Sequence, residues 1–427
     1  MNVNRSTEVF IATPSDSRPS QGLVRNHAAL VLLGLGTIAR LPSAMIFIVL
    51  LFRARETTGS YSVAGIASGA YVAARAVSTP SVGRLVDRIG QTGVLVVTAI
   101  ADAVLLVSFA LLPAGTPAIA LIAVAAAIGA ARPPLNGCVR ALIPTVVEAS
   151  QVRTAFAVES TAFELTFILG PPLALGLASA WSISGSLIVC AILLASGTVL
   201  FALQPVSRQW RPVARAARAQ GAARSPGVQT FILILTMVGG VFGVVDVALP
   251  AAMKALGNTA AAAGPVLGLW GVGSLLGGVL VARRFSGLLD SSKGLITLVL
   301  LLGILHSALA GTTASIVAMA VVVTLAGATI APTYTNIYSA VDRVGPKGTA
   351  TEAFSWLESA VSGGTAAGAT LAGALTQHYG SEKTFLAAGV FAAGAVLVAW
   401  ARLATISGSH SSQHESASAP NPEPATF

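Results

Sequence analysis

The sequence predicts an all-α integral membrane protein with twelve transmembrane helices in two pseudo-symmetric six-helix bundles. Three observations lead there: the composition, the number of long apolar stretches, and the placement of Lys and Arg. Of 427 residues, 54% are hydrophobic and 10% charged. Mean hydropathy is +0.80. A soluble domain carries about 25% charged residues, so too few charges are present to cover a water-facing globule of this size. A disordered chain is excluded as well, because such chains are poor in apolar residues.

A spanning helix needs about 20 apolar residues. Stretches of that order fall at 27–52, 61–82, 93–113, 116–137, 155–179, 182–203, 228–253, 263–284, 294–311, 313–339, 352–376 and 384–404. They are numbered segments 1 to 12. Pro113-Ala-Gly-Thr-Pro117 and Gly311-Thr-Thr mark the tightest turns between them. The domain reading is a cytoplasmic N-terminal tail (1–26), a first bundle (27–203), a basic linker (204–226), a second bundle (227–404) and a disordered C-terminal tail (405–427).

The net charge is +9. With an N-terminus inside, four Lys/Arg fall in outside loops (Arg53, Arg55, Lys254, Lys383) and three within segments (Arg40, Arg75, Arg132). The other 18 of the 25 fall in inside loops and tails. That asymmetry follows the positive-inside rule and puts both termini in the cytoplasm. Because the charge is spread over loops, nucleic-acid binding is not expected. The first 26 residues carry three Arg and do not resemble a cleavable leader. Cys138 and Cys190 have no metal or redox spacing and read as packing residues.

The two halves look related. Gly83-Arg-Leu-Val-Asp-Arg88 follows segment 2, and Gly278-Val-Leu-Val-Ala-Arg283 follows segment 8, 195 positions later. Glu164 in segment 5 matches Glu358 in segment 11 at 194 positions, and Arg132-Pro-Pro-Leu-Asn136 matches Ala331-Pro-Thr-Tyr-Thr-Asn336 at 199 to 200. A parallel six-plus-six repeat places a substrate near the bilayer midplane between halves that rock around it.

Residues Gly83-Arg-Leu-Val-Asp87-Arg88-Ile-Gly90 resemble the G-x-L-x-D-R-x-G signature of the major facilitator superfamily, between helices 2 and 3. The basic pair that follows in the family is absent, since Gln91 and Thr92 stand there. The resemblance covers residues 27–404. It implies that Gly83, Asp87, Arg88 and Gly90 form a conformational latch. It also implies that segments 1, 4, 7 and 10 line the cavity, while 2, 5, 8 and 11 form the seam. Gly170-Pro171 in segment 5 is similar to the helix-bend motif of drug/proton antiporters, and Arg132 is similar to their segment 4 arginine. Both likenesses are partial, because Ala174 and Asn136 replace the family's glycine and glutamine.

An ionisable side chain in hydrocarbon costs at least about 2.5–3.5 kcal/mol and needs a partner, a wet cavity or a role. On this basis Glu164, Asp246 and Glu358 are proton-coupling candidates, with Arg132 as the opposing charge. Arg40, Arg132, Asn136, Tyr334 and Asn336 are candidate cavity groups, with Tyr338, Trp270 and Trp356 as further aromatics. Asp102 is expected to pair with Arg75, and Glu159 and Glu352 to reach water at helix ends.

The functional expectation is a secondary active transporter, a proton-coupled exporter of a small molecule working by alternating access. The alternatives are an uptake permease for a sugar, organic acid or other metabolite, and a non-transporting membrane sensor. No G-x-x-x-x-G-K-[ST] loop, metal cluster or nucleophile–His arrangement is found, so no enzyme, cofactor or metal is expected. The partners are the lipid bilayer, a small-molecule substrate and protons, around a monomer in the inner (plasma) membrane.

Overall fold

The computed structural model describes residues 27–211, 221–258, 263–289 and 291–407. Residues 1–26 and 408–427 of the tails, and 212–220 of the basic linker, lie outside the described residues. The helices are α1 (His27–Thr58), α2 (Tyr61–Ile89), α3 (Gln91–Ala110), α4 (Ala118–Ala131), α5 (Leu135–Val146), α6 (Val152–Ala180) and α7 (Ile183–Ala202). A short α8 (Pro205–Gln209) opens the linker. There follow α9 (Pro226–Ala255), α10 (Ala263–Arg284), α11 (Ser292–Ala308), α12 (Ile316–Gly327), α13 (Ile330–Val344), α14 (Ala350–Ala401) and α15 (Leu403–Ser407).

Among the described residues, nine helical stretches are long and apolar enough to cross a membrane. One of them, α14, is two spans. At about 1.5 Å per residue its 52 residues would measure about 78 Å, against a hydrocarbon core of about 30 Å. Gly380 breaks it at φ 79°, a left-handed conformation that glycine adopts without a Cβ penalty. The chain folds back there. The hydroxyls of Thr376 and Thr384 lie 3.0 Å apart, whereas a straight helix would separate them by about 12 Å along the axis. With α2 and α6, of 29 residues each, the described residues hold twelve spans, the number the sequence predicts.

Segments 4 and 10 run longer than their apolar runs and are interrupted. Arg132 to Pro134 separates α4 from α5, and Ala328 and Thr329 separate α12 from α13. Proline disfavours the helical conformation of the residue before it, and Arg132 is accordingly extended at ψ 126°.

The halves superpose in sequence at a nearly constant spacing. On α2, a Cβ at Gly129 would meet the Tyr71 carbonyl oxygen and the Arg75 nitrogen; on α10, one at Gly327 would meet the same atoms of Trp270 and Ser274. Gly170 of α6 packs on Ala44 of α1, and Gly243 of α9 on Ala369 of α14. These pairs are 198 to 199 positions apart. The 195 and 194 spacings read from the sequence are therefore corrected. The glycine of α10 equivalent to Gly83 is not Gly278, and the acid equivalent to Glu358 is Glu159, not Glu164.

Candidate functional site

The two halves meet at the end that carries the α2–α3 turn. There Asp87 accepts hydrogen bonds from the backbone N–H groups of Thr351 (3.1 Å) and Glu352 (2.8 Å) at the start of α14. This is a carboxylate at a helix N-terminus, where exposed N–H groups and the helix dipole favour negative charge. Arg84 donates to Glu352 through Nε and Nη2 at 3.1 and 2.8 Å. Gly83 lets α14 approach, since a Cβ there would lie 2.5 Å from Ser355 Oγ. Gly90 ends α2 and begins α3 at φ 102°, and Arg88 is exposed. Glu352 is fully buried rather than water-facing, because Arg84 covers it.

Deeper in the seam, the Arg75 guanidinium of α2 donates to the Glu358 carboxylate of α14. One residue on, Ser359 Oγ donates to the Ala76 carbonyl at 2.7 Å. Arg75 thus crosses the seam instead of pairing with Asp102. Asp102 is held by Arg132, Nη1 to Oδ2 at 3.0 Å, and Arg132 Nη2 reaches Ser43 at 2.6 Å. Both are at most 4% exposed. Arg132 is therefore committed inside the first half and does not oppose the seam acids.

A second buried cluster was not legible in the sequence. Glu159 of α6, with no exposed surface, lies between Arg40 of α1 and Arg140 of α5. It does not reach water, because two guanidiniums enclose it. Arg140, expected in a cytoplasmic loop, is 2% exposed within α5. Its guanidinium stacks 4.0 Å over the ring of Tyr338 from the other half. Phe156 extends that stack to Tyr338 and Phe354. The signal for Arg140 was its place four residues after Asn136, inside the apolar run Leu135–Ile143.

Away from these clusters, each of the two first helices has one gap in its packing. Between Ala39 and Ala54 of α1 the one exposed residue is Phe47, and between Ile234 and Met253 of α9 it is Asp246. These positions are equivalent at the 199 spacing. Phe47 lies two turns along the face of α1 that carries Arg40. Asp246 lies one turn beyond Phe242 on α9, and the ring of Phe242 packs on Trp270 and Tyr334. Phe47 thus shares the Arg40 face of α1, and Asp246 the Phe242 face of α9. Of the described acids within the spans (Asp102, Glu159, Asp246, Glu352 and Glu358), Asp246 alone has no ion-pair partner.

The remaining expected residues divide. Tyr334 is half-buried beside Tyr338. Asn136 is 6% exposed and stands beside Glu358. Asn336 donates to the Ser291 carbonyl at 3.2 Å and so fastens the entry to α11. Trp270 donates to His306 at 3.0 Å. The side chains of Glu164 and Pro171 lie outside the described residues. Gly170 serves close packing, and α6 continues through it as one helix.

The family model of the Major Facilitator Superfamily matches residues 32–351 and again 231–424. The chain belongs to that superfamily. It is accordingly a secondary transporter with the superfamily's all-helical fold, multi-pass in the bilayer, and not an enzyme. Solved members superpose over most of its length. The human organic anion transporter MFSD10 does so with a TM-score of 0.68 at 16% identity, covering 88% of this chain and 99% of that one. A bacterial homologue of the iron transporter ferroportin, in an outward-facing state, gives 0.68 at 18%, covering 90% and 100%. At these identities the likeness is one of fold. No curated protein matches the sequence.

Proposed function

We propose that this superfamily member is a proton-coupled exporter of a small molecule, with Asp246 as the proton carrier and Glu358 as the acid that follows the seam. The observation that carries the proposal is the unpaired, exposed Asp246 on an otherwise encased helix. A carboxyl in apolar surroundings keeps its proton until a cation approaches. A basic or amphipathic substrate then competes with the proton for one carboxylate, and that competition is antiport.

In this reading the termini are cytoplasmic, in line with the Lys/Arg asymmetry. The described state, closed by the Asp87 and Arg84 contacts, is then open to the outside. Asp246 takes up a proton there, and Phe47 supplies apolar surface across from it. Rocking of residues 27–203 against 227–404 breaks the Arg75–Glu358 pair and exposes both acids to the cytoplasm. The protein works as a monomer in the inner membrane.

One observation favours a second reading, uptake of an organic acid. The Arg40–Glu159–Arg140 cluster has two guanidiniums for one carboxylate, and the Nη2 atoms of both arginines have no hydrogen-bond partner.

The deciding experiment is proton flux in everted vesicles. A respiration-generated gradient is followed with a pH-sensitive dye as cationic and anionic compounds are added. Wild type is compared with Glu164→Gln, Asp246→Asn and Glu358→Gln. Export predicts a compound-triggered proton leak that Asp246→Asn abolishes. A leak that survives all three substitutions rejects the carrier assignment, and a response to anions alone selects the second reading.

A further inference from the structure

We propose that the cleft between the start of α3 and the end of α8 is a binding site for a phosphate-bearing anion. The cleft, about 230 Å³, is walled by Gly90, Gln91, Thr92 and Gly93 on one side and by Arg208 and Arg211 on the other. The inference is independent of substrate and of transport direction.

The polar features of the cleft are dominated by donors. The helix α3 is 20 residues long, and no side chain caps its N-terminus. Its first N–H groups lack partners within the helix and carry the positive end of its dipole. Gln91 is 1% exposed. Its Oε1 faces the Ser207 hydroxyl at 3.4 Å, while its Nε2 is buried with no hydrogen-bond partner. An orphaned buried donor is costly unless something accepts from it. Arg208 and Arg211 bring two guanidiniums, and Arg211 Nη1 folds back onto the Arg208 carbonyl at 2.9 Å. No carboxylate is among the described residues that line the cleft. A multi-oxygen anion matches this donor set, as phosphate does at helix N-termini and on paired arginines.

The site also accounts for a departure in the sequence. Gln91 and Thr92 stand where the family signature has its basic pair. In space, Arg208 and Arg211 of the linker bring positive charge to that same turn. An anion held there ties the linker to α3, four residues from the Asp87 contact that closes the seam. Trp210 also lines the cleft. Indole rings concentrate at the membrane–water boundary, which puts a phospholipid headgroup within reach. Headgroup phosphate and free phosphate share the same chemistry.

The test is a titration of the purified full-length protein in detergent, followed by tryptophan fluorescence. The probes are dihexanoyl phosphatidylglycerol and inorganic phosphate. The variants are Arg208→Ala/Arg211→Ala, Gln91→Ala and, as a charge-matched control, Arg283→Ala/Arg284→Ala. The expected result is saturable binding, weakened about tenfold or more in the Arg208/Arg211 variant, weakened less in Gln91→Ala, and unchanged in the control. Saturation by phosphatidylglycerol alone identifies a lipid headgroup site; saturation by phosphate as well identifies a general anion site. The proposal is overturned if neither probe saturates, or if the control loses binding as much as the Arg208/Arg211 variant.

Discussion

Phe47 and Asp246 occupy equivalent positions on the first helix of each half, and each is the one exposed residue in the middle of a helix otherwise enclosed by its neighbours. The equivalence is independent of their chemistry, since one is a phenyl ring and the other a carboxylate. It arises because α1 and α9 are set over the same space by the same packing, Gly170 on Ala44 in one half and Gly243 on Ala369 in the other. The repeat thus leaves one equivalent opening in the packing of each helix, and the side chains make the two different: a phenyl ring in one half, a carboxylate in the other. The proposed function makes these openings the two walls of one vestibule.

The vestibule can be checked by thiol labelling. Phe47→Cys and Asp246→Cys should react with a membrane-impermeant maleimide added from the side opposite the termini. Ala353→Cys, buried at the closed end at 2% exposure, should not. The native Cys138 and Cys190 are fully buried and supply an unreactive background. Equal labelling of Ala353→Cys and Phe47→Cys from that side would sink the closed-end assignment.

The Arg75–Glu358 pair ties the seam at the floor of that space, with side chains 24% and 15% exposed. A hydrogen bond to a charged group contributes about 1.5–3 kcal/mol. Glu358→Gln should therefore shift the balance of the two transporter states by about thirtyfold towards the one open at the termini. The exchanged pair Arg75→Glu/Glu358→Arg should recover most of it. Cysteine accessibility at Ala353, now rising in the single variant and falling back in the exchange, reports the shift. No change in the single variant means the pair is incidental to closure.

The fold was legible because each span is written as a predominantly apolar run of about 20 residues, which is what a bilayer demands of a helix. Asp87 was legible for a related reason, since a signature in one turn is local. The ion pairs were not. Asp102 was assigned to Arg75, yet its partner is Arg132, because rotation of α3 about its axis decides which arginine it faces and no run length records that rotation. Glu164 was matched to Glu358 in place of Glu159, because Gly/Ala-rich helices offer several spacings within a turn or two of one another. Arg140 was placed outside the membrane, because segment 4 already reaches the length of a span at residue 137. The helix resumes at Leu135 and carries Arg140 into the seam against Tyr338.

The buried pair Asp102–Arg132 invites a double-mutant cycle. Asp102→Asn leaves the Arg132 guanidinium uncompensated and should cost about 3–5 kcal/mol, as breaking a buried pair does. Arg132→Met leaves the carboxylate uncompensated and should cost a similar amount. The double variant should be much closer to wild type, because neither charge remains. Melting temperature in detergent measures each corner. Additive losses would show that the two side chains act separately, and that Ser43, not Asp102, is the important partner of Arg132.

Asp87 makes the closed end sensitive to acid, with a sign that the geometry fixes. The residue lies beyond the apolar part of α2. Burial lifts its carboxyl from 3.8 to about 6, against the lowering effect of the Thr351 and Glu352 N–H groups. It faces the Glu352 carboxylate of α14, which adds to the rise, and the thiol of Cys138 on α5; Arg84, one turn back on its own helix, is taken up by Glu352. When the halves part, water restores the ordinary value. The closed state then binds the proton more tightly than the open one, so acid favours closure. The contribution is complete below about pH 4 and is lost as pH rises through 6, a change of about a hundredfold in the closed-to-open ratio. Spin labels at Leu85→Cys and Lys347→Cys should report a shorter mean distance at pH 5 than at pH 7.5. In Asp87→Asn that dependence should flatten, because the amide does not titrate, while its single oxygen still accepts from one of the two N–H groups. An unchanged pH profile in Asp87→Asn would assign the sensitivity to another group.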